Sequence, residues 1–238
     1  MRPSIVRISH TGSMRARIAF LEHSDFDVPG VLGEHARILS LEVTSHRADR
    51  GAAALPNLAS VDALVVLGSA ASVNDETSWI DAERDLVSTA VESGVAVFGV
   101  CFGGQLLAQV LGGTVVRASR PEIGWPAMTT SDPDRIPPGP WLDCHEDAFT
   151  CPPNAEALAS TDVSLHAFIS GIHTGVQFHP EATTEIVETW IVDMRSSGFV
   201  DEAGIDALLS GFNTAGRGPD DQARRLFEGF LTRAGLLD

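Results

Sequence analysis

The stretch that most limits what this chain can fold into is VAVFGVCFGGQLLAQVLGG, residues 95–113. An unbroken apolar run (95–100) reads as a buried strand, and residues 103–111 carry a helical pattern closed by a glycine stop. Between them stands Cys101, in Gly-Val-Cys-Phe-Gly (99–103), the cysteine version of G-x-S-x-G. That pattern turns a strand sharply into a helix and holds the residue at the turn in a strained conformation. Glycines are needed two residues to either side, because side chains there would collide. The turn exposes the sulfur at the carboxyl edge of the sheet, where open α/β folds bind ligands. The helix N-terminus beside it favours thiolate over thiol, and the Phe102 N–H points toward any oxyanion formed there. A core cysteine beside a nucleotide-binding loop is the alternative, but no G-x-G-x-x-G is present.

The first half of the chain repeats this alternation. ARIAFLEH (16–23), RILSLEVT (37–44) and DALVVLGSA (62–70) read as strands; VPGVLGEHA reads as a loop with a short helix. SWIDAERDLVSTAVESG (78–94) is an amphipathic helix with Gly94 as its stop. Strands apolar throughout and alternating with helices predict an α/β fold: an open, mostly parallel sheet with helices on both faces. Residues 114–176 change character. Short strand-like pieces (GTVVRA, EIGWPAM, HAFIS, HTGVQF) are separated by Pro-rich loops, which predicts a small antiparallel addition at one end of the sheet. Helices follow at 183–198 and 220–235; the sequence leaves open whether 199–238 cover the sheet or meet a partner. No repeat or linker interrupts the pattern, so residues 16–238 read as one domain behind an N-terminal extension of residues 1–15.

Composition removes several functions. A net charge of −16 over 238 residues gives no basic face for nucleic acid. No apolar run is long enough to span a membrane, and the start lacks a signal-peptide core, so a cytoplasmic protein is expected. Lys and Tyr are absent, which excludes Schiff-base and P-loop lysine chemistry. Three cysteines form no disulfide framework. Cys144, His145 and Cys151 lack the paired spacing of a metal site, so neither metal nor cofactor is expected. The four tryptophans read as core or cleft packing.

A thiol nucleophile needs a base, and the base needs an orienting partner. Of eight histidines, His179 in GVQFHPEATTE (175–185) ends an apolar strand, is followed by Pro180, and has Glu181 two residues on. Spacing of two along extended backbone puts both side chains on one side, so Glu181 can hold one imidazole nitrogen while the other faces a thiol.

Together these motifs resemble the class I (triad) glutamine amidotransferase family, with a fold of flavodoxin-like type. The likeness is greatest to stand-alone members similar to the amidotransferase domain of GMP synthase, and it covers residues 16–195 in the expected order. VVLGSAASVND (65–75) resembles the oxyanion turn, GVCFGGQLLAQVLGG the elbow and EIGW (122–125) the strand after it. DCHEDAFTCPPNAEALAST (143–161) resembles a histidine-acid loop, and GVQFHPE the base motif. The resemblance implies hydrolysis of the glutamine side-chain amide through a cysteinyl thioester, with ammonia passed to an acceptor on a partner synthetase. It implies Cys101 as nucleophile, His179 as base and acid, Glu181 as orienter, and Ser69 and Phe102 N–H groups as the oxyanion hole. Gly68, Gln105, His145 and Asp147 are implied at the substrate.

Where the family has Gly-Gly-Pro, this chain has Gly68-Ser69-Ala70. The donor is a backbone amide, so Ser69 can still supply it; slow or partner-activated turnover is expected. Two alternatives stand beside glutamine hydrolysis: a γ-glutamyl hydrolase or peptidase using the same triad on a γ-glutamyl compound, and a silent regulatory module keeping the fold.

Overall fold

A computed structural model describes residues 15–197, 200–215 and 218–237. The extension read over residues 1–15 lies outside the described residues except for Arg15. Strands β1 (Arg17–Glu22), β2 (Glu42–Arg47), β3 (Ala63–Val66) and β4 (Ala96–Val100) alternate with helices α1 (Gly30–Ile38), α2 (Ser78–Ser93) and α3 (Phe102–Val110). After them come β5 (Val115–Gly124), β6 (Thr129–Thr130), β7 (Asp143–Phe149), β8 (Glu156–Ser160), β9 (Leu165–Ser170) and β10 (His173–Val176). Helices α4 (Thr184–Ser197), α5 (Glu202–Ala215) and α6 (Gly218–Arg233) close the chain.

Eight strands form one sheet in the order β2-β1-β3-β4-β10-β9-β8-β6. Pairing is parallel from β2 to β10 and antiparallel from β10 onward. A separate antiparallel pair, β5–β7, makes the smaller addition. Unbroken apolar strands are explained by cores on both faces, with successive residues alternating between them. Phe20, Val65 and Phe98 point to one side, where α6 brings Phe227 and Phe230 against Phe98 at ring separations of 5.9 and 5.3 Å. Leu21, Val66 and Val97 point to the other, under Ile80 and Val87 of α2 and Leu106 of α3. Helix α6 thus covers the sheet.

Three local readings change. RILSLEVT is not one strand: α1 runs to Ile38, Ser40 turns the chain at φ 60°, and β2 starts at Glu42. Ile38 is 62% exposed, so its apolar character imitated a strand position while it lay on the outer face of the helix. The separate pieces GTVVRA and EIGWPAM are one strand, β5, broken only by a register shift between Arg117 and Glu122. DCHEDAF, expected as a loop, is strand β7, with polar residues facing a polar interior. Helix α5 carried no prediction; it packs with α4 and Leu142 in a third apolar cluster.

Candidate active site

Close backbone approach builds the elbow. Cys101 alone turns the chain between β4 and α3, at φ 50° and ψ −108°. Holding a non-glycine residue there costs of order 1–3 kcal/mol. The surroundings enforce it: Cys101 N–H donates to the Val176 carbonyl (2.8 Å), Gly103 N–H to that of Leu67 (3.2 Å) and Gln105 N–H to that of Cys101 (2.9 Å). A Cβ on Gly99 would lie 2.3 Å from the Gly103 oxygen, and one on Gly103 would lie 2.1 Å from the Val66 oxygen. Both glycines are therefore required where the helix lies on its strands.

His179 stands just past β10, its N–H donating to the Leu142 carbonyl at 2.9 Å. Its Nδ1–H donates to Glu181 Oε1 at 2.7 Å, and the imidazole interacts directly with Cys101. Trp190 packs edge-on against the ring, 4.9 Å between centroids. Burial opposes the imidazolium, but the Glu181 carboxylate and Cys101 outweigh it, so the His179 pKa is raised well above its ordinary value. Gln177, two residues earlier on the same side of the chain, donates from Nε2 to Cys101 Sγ at 3.6 Å.

Opposite the sulfur, the turn after β3 carries Gly68 and Ser69. The Ser69 hydroxyl accepts the Ala71 N–H at 3.1 Å, an internal brace where proline is missing. The Gly68 carbonyl accepts from His23 Nδ1 at 2.7 Å, and His23 Nε2 meets Glu83 at 3.0 Å. With an acceptor at each nitrogen, His23 carries both protons. Burial opposes that charge, but Glu83 outweighs it and the pKa is raised. A Cβ on Gly68 would stand 2.8 Å from His179 Cε1 and 3.7 Å from Cys101 Cβ, so only hydrogen fits there.

These groups border a cleft of about 550 Å³, which Gly68, Ser69, Cys101, Phe102, Gln105 and His179 help to line. That volume suits a small-molecule ligand. Glu181 sits behind His179, 2% exposed. Gln105 is buried rather than capping a helix, donating from Nε2 to the Asp147 carbonyl (3.0 Å) and to Gln177 Oε1 (3.3 Å). Asp147 reaches the cleft with Oδ2 on the Ser72 hydroxyl (2.7 Å) and Oδ1 3.6 Å from Arg117, whose exposed guanidinium also pairs with Glu146. His145 lines the cleft too, but its nitrogens are turned elsewhere. Nδ1–H donates to the Asp147 carbonyl (3.0 Å), while Nε2 faces Glu122 Oε2 (3.5 Å) and Asp143 Oδ1 (3.6 Å). A larger hollow, about 630 Å³ around Asn74, Glu76 and Arg84, contains neither cysteine nor histidine.

Sequence reasoning passed over Gln177, His23, Glu83 and Arg117. Gln177 carried a signal, the same two-residue spacing that selected Glu181. His23 carried another, its position at the carboxyl end of β1. Glu83 lies 60 residues away on a helix and carried none.

A family profile described as "Glutamine amidotransferase class-I" matches residues 30–193. A GMP synthase [glutamine-hydrolyzing] of Synechococcus is 39% identical over 102 residues, covering 39% of this chain and 19% of the relative. The chain thus spans about a fifth of the length of the GMP synthases it matches at this identity. A glutamine amidotransferase-like protein of Salmonella typhimurium is 28% identical over 190 residues, covering 72% of this chain and 78% of the relative. In fold, the chain is similar to a glutamine amidotransferase from Methylobacillus flagellatus, with a TM-score of 0.83 at 22% identity over 92% of this chain and 96% of the other.

Proposed function

The chain belongs to the class I glutamine amidotransferase family, and from that premise we propose that it hydrolyses the side-chain amide of L-glutamine through a thioester on Cys101. In this reading the Cys101 sulfur attacks the amide carbon while His179 takes the thiol proton. The N–H groups of Ser69 and Phe102 receive the developing oxyanion. His179 then gives its proton to the departing nitrogen, the C–N bond breaks, and ammonia leaves. Water, deprotonated by His179, attacks the thioester; the C–S bond breaks, glutamate leaves, and the sulfur recovers its proton. Glu181 holds the imidazole at Nδ1 throughout. Asp147 and Arg117, at the cleft wall, suit the α-ammonium and α-carboxylate of the substrate, while Gln105 and His145 fix the Asp147 backbone. The ammonia passes to an acceptor on a partner protein, as the kinship to GMP synthases suggests. The work is cytoplasmic, where the three free cysteines stay reduced.

The observation that carries this reading is the line from the Cys101 sulfur through His179 to Glu181, 2.7 Å for its last step, at the edge of a polar cleft. The test is ammonia release from glutamine and from γ-glutamyl peptides and amines, with Cys101→Ala as control. Glutamine turnover is expected, together with Cys101-dependent labelling by a diazoketone glutamine analogue. Equal turnover by Cys101→Ala overturns the mechanism. Turnover of γ-glutamyl peptides without glutamine selects the hydrolase alternative, and absence of both turnover and labelling selects the silent module.

A further inference from the structure

Behind the cleft wall, Glu122 of β5, Asp143 and His145 of β7 and His166 of β9 converge. All four side chains are buried, none more than 5% exposed as a residue. Glu122 Oε2 lies 3.5 Å from His145 Nε2 and 3.1 Å from His166 Nε2. Asp143 Oδ1 lies 3.6 Å from His145 Nε2 and 3.6 Å from His166 Nδ1. Hydrogen bonding leaves this cluster unsatisfied: Glu122 Oε1, Asp143 Oδ1, His145 Nε2 and His166 Nδ1 are buried without a hydrogen-bond partner. One such atom costs about 1–3 kcal/mol, so several gathered at one place demand a common partner. Two bonds from outside orient the cluster. His145 Nδ1–H donates to the Asp147 carbonyl, which leaves a lone pair on Nε2, and the Ser164 hydroxyl donates to Glu122 Oε2 at 2.8 Å. The His145 lone pair therefore faces Glu122 Oε2 and Asp143 Oδ1, and the His166 ring, 3.1 Å from Glu122 Oε2 through Nε2, closes the group.

We infer that this cluster binds a divalent first-row transition ion, zinc fitting best, with Glu122, His145 and His166 as ligands, the fourth position open, and Asp143 behind His166 Nδ1 as its outer partner. One donor atom from each of Glu122, His145 and His166 can be chosen so that all lie within 4.8 Å of one another. Tetrahedral zinc, with ligands at about 2.0–2.2 Å, places its donors roughly 3.4 Å apart, close to the 3.5 and 3.1 Å that separate Glu122 Oε2 from Nε2 of His145 and Nε2 of His166. Two imidazoles with a carboxylate suit such an ion, and a ring N–H held by a backbone carbonyl is how ligating histidines are oriented. These donors are not the Cys144, His145 and Cys151 set weighed from the sequence; alternation along β7 turns Cys144 away from Asp143 and His145. The ion ties the β5–β7 pair to β9 of the main sheet. Through His145 it also fixes the Asp147 carbonyl that receives Gln105, and so stiffens the cleft wall. The inference stands apart from the thioester chemistry.

The test uses the whole chain, purified with any affinity tag removed. Its metal content is measured by elemental analysis; chelator-stripped protein is then titrated with Zn²⁺ and Co²⁺, with visible absorption and thermal unfolding recorded. One equivalent of ion, a tetrahedral Co²⁺ spectrum and a Zn²⁺-dependent rise in Tm are expected. His166→Gln and Glu122→Gln should each bind at least about 100-fold more weakly, beyond the usual loss of an outer partner, and lose the Tm rise. Cys101→Ala and Cys144→Ala should keep both. No saturable binding by the stripped protein overturns the inference and leaves shared protons as the cluster's partner. Equal binding by wild type, His166→Gln and Glu122→Gln also overturns it, as do thiolate charge-transfer bands lost in the cysteine variants.

Discussion

Gly68→Ala adds a single carbon at the most crowded point of the cleft. That carbon would stand 2.8 Å from His179 Cε1, whereas ordinary contact begins near 3.4 Å and relaxes toward 4 Å. One partner must therefore give way by about 0.6–1.2 Å. The Gly68 backbone is held by His23 on its carbonyl at 2.7 Å. His179 is held by Glu181 at 2.7 Å and by Trp190 behind it. Flexible contacts to the thiol yield first, so the imidazole moves relative to Cys101. A misplacement near 1 Å costs on the order of 100-fold in turnover, equivalent to about 2.7 kcal/mol of activation free energy. The expected result is a kcat for ammonia release lowered about 100-fold, a smaller change in KM and slower labelling by the diazoketone, with circular dichroism and Tm near those of the parent. A kcat within threefold of the parent, in a folded variant, would refute the claim that Gly68 sets the thiol–imidazole distance.

Glu83→Gln removes the carboxylate that holds the His23 charge. Because the His23 pKa is raised in the folded chain, its contribution is fully present below the ordinary histidine value and fades as pH rises through the folded value. The stability gap between parent and variant should therefore be largest at mildly acid pH and shrink toward alkaline pH in urea titrations; a gap widening with pH contradicts this. Ser69→Gly releases the hydroxyl brace on Ala71 and should raise partner-free ammonia release several-fold, at a stability cost below about 1 kcal/mol; unchanged or slower turnover argues against a stiffened oxyanion turn. Arg117→Ala should raise KM for glutamine about tenfold with little change in kcat, the lower end of a charge-assisted contact because the guanidinium is exposed; an unchanged KM removes Arg117 from substrate recognition. Phe227→Ala empties a fully buried site against Phe98 and should cost about 3–5 kcal/mol in chemical unfolding. A loss below 1 kcal/mol would mean that α6 does not cover the core as described.

Local sequence foretold those parts of the molecule that local sterics decide. The elbow follows from glycines flanking one residue, since the collisions at Gly99 and Gly103 involve backbone only a few residues or one strand away. Continuous apolar strands announced a sheet buried on both faces, and the two faces separate residue by residue in β1, β3 and β4. The misreadings have the same origin in reverse. Ile38 is apolar yet exposed, and β7 is a strand whose alternation is polar against a polar cluster rather than apolar against the core.

For the site, period-two geometry on one short extended segment is enough to place Gln177, His179 and Glu181 on a common side. Nothing in that segment says that it adds parallel to β4, which is what brings it beside Cys101. The same limit applies to His23 with Glu83, 60 residues apart, and to Glu122 with His166, 44 apart. Short-range order is written in dihedral restrictions and spacing along the chain, so the sequence by itself determined the elbow, the His179–Glu181 pairing, and the parallel α/β character of the sheet. Strand order, the His23–Glu83 brace behind the Gly68 turn and the buried histidine–carboxylate cluster were decided only by tertiary structure. They join side chains from different strands and helices, whose meeting depends on how whole elements pack.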